Sequence, residues 1–503
     1  MNIKEKDITI RHAREGGHPR VYFFFLLCGL IKKISSWMPA FAGMTAFFLI
    51  SLSPAHAETL QAAMMRAYQT NPTLQAAQAK LRSVDETVPL AKSGARPSLD
   101  FNSQIGQSTI DRSGIQRDTT PRSLGFSITQ PIYKGGRIDA DISSAEKRVL
   151  AERASLLDAE QSLFLSVATV YFDVWRDQAT VKINRKNEEV LRQELQAARD
   201  RFKVGEATRT DVAQADSRYA GATASRIEVE GRLANSKATY EKIIGNPPSE
   251  LAAPDLNFPI PQSLDDAIKQ AQEQNPRVIN SKFTADSAEH DIDVAEAALL
   301  PEINLQASAD RNLDTSSSFA TGSNIDTASI TARLTVPLYR SGADYARTRA
   351  AKQTASQRRV EIHSALDTAR ETAVNAWESL KTARATILSR QKQVEAANLA
   401  FEGVKEESRV GTRTILDRLD AEAEALQARV NLVQAQRDKA VALFSVKSAI
   451  GELTAEKLKL PLTPYDPTAH YEQVKDAWIG LGENTTTDFP LSEVTKPAEA
   501  NAP

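Results

Sequence analysis

The segment VGTRTILDRLD (residues 410–420) interrupts a chain that has the composition of long polar helix on both sides. A related segment, VGEATRTDVAQ (residues 204–214), lies 206 positions earlier. In each segment a glycine, Gly205 or Gly411, supplies the backbone freedom that ends one helix. A threonine followed three residues later by an aspartate then predicts a capping box that starts the next helix. The two segments therefore predict two places where one helix reverses into another.

Other motifs recur at nearly the same spacing, which indicates an internal duplication. LQAAMMRAYQTNP (60–72) matches LDDAIKQAQEQNP (264–276), PIYKGG (131–136) matches PLYRSG (337–342), and IIGN (243–246) matches AIGE (449–452). We therefore assign residues 58–260 to a first structural repeat and residues 261–460 to a second. Residues 461–503 form a C-terminal segment, whose last part we expect to be disordered.

Each repeat begins with a helical stretch of about 35 residues and then shows two segments of period-two alternation, the pattern of β-strands. The alternating apolar residues include Leu99, Phe101, Ile105, Leu124, Phe126 and Ile128 in the first repeat, and Ile303, Leu305, Ala328, Ile330, Ala332, Leu334 and Val336 in the second. Polar residues at 110–121 and 312–326 predict loops between the strands.

Proline, tyrosine and glycine close the second strand of each repeat. The predicted strand-to-helix turns contain Pro131 and Gly136 in the first repeat, and Pro337 and Gly342 in the second. The tyrosines of these turns, Tyr133 and Tyr339, fit a membrane-interface girdle. An ordinary turn aromatic would have the same sequence, so both interpretations stand.

Long Ala-, Glu-, Arg- and Gln-rich segments without proline follow these turns and extend to about Lys203 and Arg409. A continuous helix of about 65 residues would be roughly 100 Å long. The last long helix shows a seam with steps of four and three residues, as in a coiled coil: Leu426, Val430, Val433, Arg437, Ala440 and Phe444. The sequence therefore predicts a mainly α fold with a small β part, in which long coiled-coil helices accompany four strands.

Residues 41–52 are mostly apolar and are followed by an A-x-A-like site that ends at Ala57, which predicts a secretory signal peptide over residues 1–57. The region is long for such a peptide, so translation starting at Met38 or Met44 is an alternative. A lipoprotein signal around Cys28 is disfavoured because Leu27 stands where a small residue is required. Cleavage after Ala57 would remove the only cysteine of the chain.

The net charge of −2 argues against a nucleic-acid partner. Beyond residue 57 no run approaches the roughly eighteen apolar residues of a membrane helix.

The strands, however, have the length and single apolar face of outer-membrane strands. Four of them cannot close a barrel, since single-chain barrels begin at about eight strands. Several chains must therefore contribute. The alternative is a periplasmic structural coiled-coil protein without a pore, whose hairpins would leave apolar faces uncovered.

Catalysis and cofactor binding find no support in the sequence. After removal of residues 1–57 the remaining histidines, His290, His363 and His470, are widely separated and lack metal-ligand spacing. Motifs for a serine nucleophile, a phosphate loop or a dinucleotide site are absent from their required contexts. The sequence therefore predicts no enzyme, no cofactor and no metal.

The duplicated motifs, the two helix breaks and the late YDPTAHYEQVKDAWIGL (465–481) resemble the TolC family of outer membrane efflux proteins, from residue 58 to about residue 480. The resemblance implies a homotrimer with a shared twelve-strand barrel among outer membrane lipids and an α-helical tunnel across the periplasm of a Gram-negative cell. It implies a passive exit duct for efflux or type I secretion. A periplasmic membrane-fusion adaptor and an inner-membrane pump of RND or ABC type would recruit and open this duct.

In the family the tunnel entrance is closed at a periplasmic tip, which the two helix breaks would form here. The matching gate residues are Thr210, Asp211, Arg413, Asp417 and Asp420. Arg413 is expected to tie the second break to Asp211 or Thr210 of a neighbouring helix. Asp417 and Asp420 would form a cation-selecting ring, and opening would untwist the helices that end at the breaks.

Two features of the sequence bear on this assignment of gate residues from the family. Ser408 stands where the best-known members have a latching tyrosine, which predicts a closed state held by fewer contacts. Ordinary helix capping is the alternative role for Asp211 and Asp417. Asp420 lies beyond the first turn and cannot cap, so it is the sharper functional candidate.

Overall fold

The computed structural model describes residues 58–112, 114–252, 258–316 and 321–482. The predicted signal peptide, residues 1–57, and the end of the C-terminal segment, residues 483–503, lie outside the described residues. Within the described part the chain is mainly helical, with a small amount of antiparallel sheet, so the predicted fold class is confirmed.

The elements of the first repeat are α1 (Leu60–Thr70), α2 (Pro72–Asp85), α3 (Thr87–Ser93), β1 (Ser98–Ile105), β2 (Ser108–Arg112), β3 (Ile115–Thr119), β4 (Arg122–Lys134), α4 (Arg137–Lys203) and α5 (Arg209–Ile244). The single helical stretch predicted at the start is wrong, because it is divided into three helices. Pro72 lacks a backbone N–H and suits the first position of a helix. The Asn71 side chain caps that helix by accepting hydrogen bonds from the N–H groups of Thr73 and Leu74.

The second repeat contains α6 (Leu264–Gln274), α7 (Pro276–Ala297), β5 (Glu302–Ser316), β6 (Thr321–Thr335), α8 (Ala343–Arg409) and α9 (Ile415–Ala449), and the C-terminal segment contains α10 (Ala469–Val474). Its opening stretch is likewise divided, at Pro276. The helices α4 and α8 have 67 residues each, and such helices are roughly 100 Å long. The predicted long helices are thereby confirmed. Among the described residues, no helix combines the length and apolar character needed to cross a membrane.

Four strands form one antiparallel sheet in the order β1-β4-β5-β6. Its register places the alternating apolar residues in common rows: Leu99 lies opposite Ile128, Ile128 opposite Ala307, and Ala307 opposite Ile330. Because side chains alternate between faces along each strand, these residues share one face. Leu99 is 68% exposed and Ile330 79% exposed. The sheet therefore presents an uncovered apolar face across four strands.

Both predicted loops are largely strand. Within residues 110–121, β2 and β3 pair as a separate hairpin, closed by a turn in which the Gly114 N–H donates to Asp111 Oδ1 at 3.1 Å. Within residues 312–326, β5 continues to Ser316 and β6 begins at Thr321. Polar residues continue a strand where a partner strand satisfies their backbone groups, because β-propensity depends strongly on context.

Strand β4 also continues past the point where the sequence predicted its end. It runs through Pro131 to Lys134, and its pairing with β5 shifts between Pro131 and Tyr133. Pro131 itself lies opposite Asn304, and Ile132 is the extra residue of this irregularity. Proline is tolerated within sheets chiefly at edges and beside bulges of this kind. In the second repeat, β6 does end before Pro337.

The main hydrophobic core lies midway along the long helices. Tyr171 of α4 is fully buried there, and its hydroxyl donates to the carbonyl oxygens of Glu58 and Ala252 at 2.7 Å each. Of the predicted seam of α9, Ala440 and Phe444 are buried within the chain, and the other four residues are only partly buried. The buried row instead contains Ala425, Ala428, Ala435 and Ala442. Small side chains at a contact allow two helices to approach closely, so the alanine row faces the neighbouring helices.

Candidate functional site

The two helix breaks, residues 204–208 and 410–414, lie at the ends of α4 and α8 that are farthest from the sheet; we call them the tip. Gly205 and Gly411 have φ values of 82° and 84°, a left-handed conformation that glycine adopts at low cost. The N–H of Glu206 donates to the Arg201 carbonyl at 2.9 Å, and that of Thr412 donates to the Glu407 carbonyl at 3.0 Å. Both long helices therefore end in the same Schellman-type turn.

Both helices that leave the tip begin with a reciprocal capping box. The Asp211 N–H donates to Thr208 Oγ1 at 3.1 Å, and the Thr208 N–H donates to Asp211 Oδ2 at 2.8 Å. The corresponding distances between Asp417 and Thr414 are 3.1 and 3.0 Å. The backbone hydrogen bond from Thr208 lowers the pKa of Asp211, and the side-chain hydrogen bond from Thr414 lowers the pKa of Asp417. Asp211 and Asp417 are therefore ionised helix caps.

Arg413 pairs within its own helix hairpin. Its Nε lies 3.0 Å from Glu407 Oε2 in the last turn of α8, and both side chains are about half exposed. Within the chain Arg413 thus contacts neither Asp211 nor Thr210, and Thr210 lies exposed in the first turn of α5. Ser408 is also in the last turn of α8, where its carbonyl accepts the Gly411 N–H at 3.2 Å.

Asp420 binds a residue that the sequence analysis missed. Arg218 Nη2 of α5 donates to Asp420 Oδ1 of α9 at 2.5 Å. A second ion pair joins Arg418 of α9 to Glu194 of α4, and these side chains are only 15% and 27% exposed. Both pairs connect the α4–α5 hairpin of the first repeat with the α8–α9 hairpin of the second. These two lie nearer the tip than the Arg437–Asp173 pair, which also joins α9 to α4, and we call them the cross-hairpin pairs.

A comparison of the two repeats contains the signal that would have found these residues. At the spacing of 206 residues, Arg218 corresponds to Glu424, Arg418 to Val212, and Asp420 to Gln214. The two repeats differ in charge at all three positions. A residue that breaks the symmetry of a duplication in this way is a candidate for a contact between the copies.

A half-enclosed cleft of about 320 Å³ lies beside the Arg418–Glu194 pair, between α4, α8 and α9. Its lining includes Lys405, Glu422 and Arg429. Burial raises the pKa of Glu422, although the neighbouring cations Arg418, Arg429 and Lys405 act in the opposite direction. The cleft is therefore lined by charged side chains at the contact between the two hairpins.

At the opposite ends of the long helices, Gly136 and Gly342 are the N-cap residues of α4 and α8, with φ values of 78° and 79°. Pro337 lies in the connection between β6 and α8 as predicted, whereas Pro131, predicted in the corresponding turn, is within β4 because the pairing with β5 continues to Lys134. In the described ranges, no group of three or more His, Cys, Asp or Glu side chains is arranged to bind a metal ion.

Comparisons with known proteins agree with this architecture. The family model described as outer membrane efflux protein matches residues 64–246 and 267–452, one range within each of the repeats assigned from the sequence. The outer membrane efflux protein BepC of Brucella suis is 33% identical over 424 residues, 84% of this chain and 92% of BepC. The outer membrane protein TolC of Escherichia coli is 26% identical over 443 residues, 85% of this chain and 88% of TolC.

Among solved structures, the CmeC outer membrane channel of Campylobacter jejuni superposes with a TM-score of 0.72. The alignment covers 83% of this chain and 89% of that chain, at 18% sequence identity. At this identity the similarity shows a common fold.

Proposed function

Because this chain belongs to the outer membrane efflux protein family, it acts as an outer membrane channel for efflux or type I secretion, and we propose that three copies build that channel. The family consists of channel proteins rather than enzymes. The observation that carries the proposal is the exposed apolar face of the sheet, which extends across four strands. An apolar face of this kind needs a lipid environment.

The sheet also has two edges available to other copies. Within the described residues, β1 pairs only with β4, and β6 pairs only with β5. Such edges present unpaired N–H and C=O groups that can add further strands. Three chains with four strands each would supply a shared twelve-strand barrel, above the minimum of about eight. Outer membrane lipid would surround its apolar face.

The tip is the proposed gate at the periplasmic end of the duct. Asp211 and Asp417 cap helices, so cation selection falls chiefly to Asp420, whose carboxylate is partly neutralised by Arg218. Untwisting α8 and α9 away from α4 and α5 must break both cross-hairpin pairs. The pairs therefore favour the closed arrangement within each chain, in a protein that has Ser408 rather than a tyrosine at the end of α8.

Opening requires partners. We place a periplasmic membrane-fusion adaptor on the helix pairs that flank the tip, and an inner-membrane pump of RND or ABC type behind it. The pump would supply the energy, and the duct itself would remain passive. The cargo is either a drug-like compound or a secreted protein.

Cell fractionation and gel electrophoresis test the channel proposal against a periplasmic rod without a pore. The full chain is expected in the outer membrane fraction, and it should migrate as an oligomer that dissociates on heating. A soluble monomer in the periplasmic fraction would favour the rod.

A further inference from the structure

The C-terminal segment carries a group of apolar side chains that remains largely exposed in the described chain. Trp478 is 67% exposed, Ile479 is 97% exposed and Leu481 is fully exposed. Isolated exposed apolar residues are common on protein surfaces, but a contiguous exposed group marks an interaction site. We call residues 477–482 the C-terminal apolar segment.

This segment is held at the end of the sheet that adjoins the helices. Arg96 lies two residues before β1, and its Nη1 donates to the Ala477 carbonyl at 2.5 Å. The Arg96 guanidinium also lies 4.7 Å from the centroid of the Trp478 ring. Lys92 of α3 forms an ion pair with Asp476 at 2.7 Å. These contacts fix the segment beside the first residue of the membrane strands.

A further hydrogen bond defines the position of the C-terminal apolar segment along the strands of the sheet. Gln130 Nε2 of β4 donates to the Ala95 carbonyl at 2.9 Å, so Arg96 and Trp478 are level with the end of β4. The next residues of that strand, Ile132 and Tyr133, are exposed, and so is Leu90 of α3. Exposed apolar side chains are therefore present at this end of the sheet as well as in the C-terminal apolar segment.

We propose that Trp478, Ile479 and Leu481 insert into the phospholipid interface on the periplasmic side of the outer membrane. Tryptophan is enriched at membrane interfaces because its ring is apolar while its N–H can reach water or headgroups. The Arg96 guanidinium stacks on the indole and contributes a positive charge at the depth of lipid phosphates. The segment thus anchors the outside of each subunit to lipid, next to the strands.

The inference rests on the proposed insertion of the sheet into the membrane, and its test separates the two. The assembled protein is reconstituted into vesicles of phospholipid brominated near the headgroup end of the acyl chains, because bromine quenches tryptophan fluorescence on contact. The difference between the fluorescence of the unchanged chain and that of Trp478→Phe reports residue 478 alone. We expect this difference signal to lose most of its intensity in brominated vesicles and to resist quenching by dissolved acrylamide.

Two results would overturn the anchor. A signal quenched by acrylamide but not by bromine would place Trp478 in water, and a signal quenched by neither would place it against another protein copy. The control is Phe101→Trp, on the apolar sheet face, in the Trp478→Phe background. If that tryptophan is quenched by bromine while Trp478 is not, the anchor alone fails. If neither is quenched, the sheet lies outside the bilayer and the proposed function fails with the anchor.

Discussion

Arg218 in the first repeat and Asp420 in the second, 202 positions apart in the chain, form a direct ion pair beside the tip. The contact joins helices from the two repeats, whereas the capping boxes and the Arg413–Glu407 pair stay within one hairpin each. Only a contact between the two hairpins, such as Arg218–Asp420, resists their separation. The position of Arg218 also gives Asp420 a counter-charge, which would weaken the proposed selection of cations by that carboxylate.

Substitution of the two partners should change selectivity in opposite directions. Asp420→Asn removes a carboxylate from the proposed entrance, so cation selectivity should fall. Arg218→Gln leaves that carboxylate without its counter-charge, so cation selectivity should rise. Reversal potentials in a salt gradient measure both effects. A loss of selectivity in Arg218→Gln would contradict this role of Asp420.

The caps at the tip should contribute to local stability. Thr414→Ala removes the side-chain oxygen that accepts the Asp417 N–H, and loss of such a cap costs about 0.5–2 kcal/mol. Amide hydrogen exchange in the first turns of α9 should accelerate accordingly. Thr210→Ala is the matched control, because Thr210 lies in the first turn of α5 and is not its N-cap residue. Equal exchange in the two variants would argue against the capping role.

The capping aspartates predict a pH dependence of defined sign. The folded-state pKa of Asp417 is below its ordinary value of 3.8, so its stabilising effect is present above pH 3.8 and is lost as the pH falls through the folded pKa. Hydrogen exchange at the start of α9 should therefore be insensitive to this group between pH 6 and 8, as about 99% or more of the unfolded-state carboxyl is ionised at and above about pH 6. A loss of exchange protection at the start of α9 already near neutral pH would contradict the capping role of Asp417.

Glu422 predicts the opposite dependence in the cleft. Burial raises its pKa above the ordinary value of 4.5, so the stabilising effect of the protonated form is present below pH 4.5 and is lost as the pH rises through the folded pKa. Exchange protection of the adjoining turns of α4, α8 and α9 should decrease over that rise. Glu422→Gln should remove this part of the pH dependence, and persistence of the full dependence would assign it to another group.

The two faces of β6 should respond differently to charge. Ile330→Lys places a cation on the apolar face, where lysine at the bilayer midplane costs about 2–4 kcal/mol. Ser329→Lys changes the neighbouring position on the opposite face, where Ser329 contacts Ser308. The yield of heat-modifiable oligomer in the outer membrane should drop for Ile330→Lys much more than for Ser329→Lys. Equal yields would indicate that this face does not contact lipid.

Local features of the sequence predicted most of the fold. Gly205, Gly411 and the Thr-x-x-Asp restarts identify the tip because their signals are confined to a few consecutive residues. The alternation of Leu99 and Phe101 likewise identified a strand and its apolar face. The extent of the strands was harder to predict, because the polar residues 110–121 become strand only when they pair with each other.

The cross-hairpin pairs depend on packing that no local pattern contains. Arg218 meets Asp420 because α9 packs against α4 next to α5, where Leu419 is buried together with Leu191 and Ala222. The sequence predicted a seam centred on larger residues such as Val430 and Val433, which are only partly buried within the chain. The seam alone does not indicate which face of α9 contacts the first hairpin, so it could not identify the charged side chains that meet there.

Single-channel conductance in a planar bilayer tests the gated duct most directly. We compare the unchanged chain with the double variant Arg218→Gln, Arg418→Gln, which removes both cross-hairpin pairs. Arg185→Gln is the control, because it removes the Arg185–Glu230 pair between α4 and α5 of the same hairpin. The account predicts a small cation-selective conductance that rises sharply in the double variant and stays small in the control. A large conductance that is the same in all three proteins, or no conductance from a folded oligomer, would contradict it.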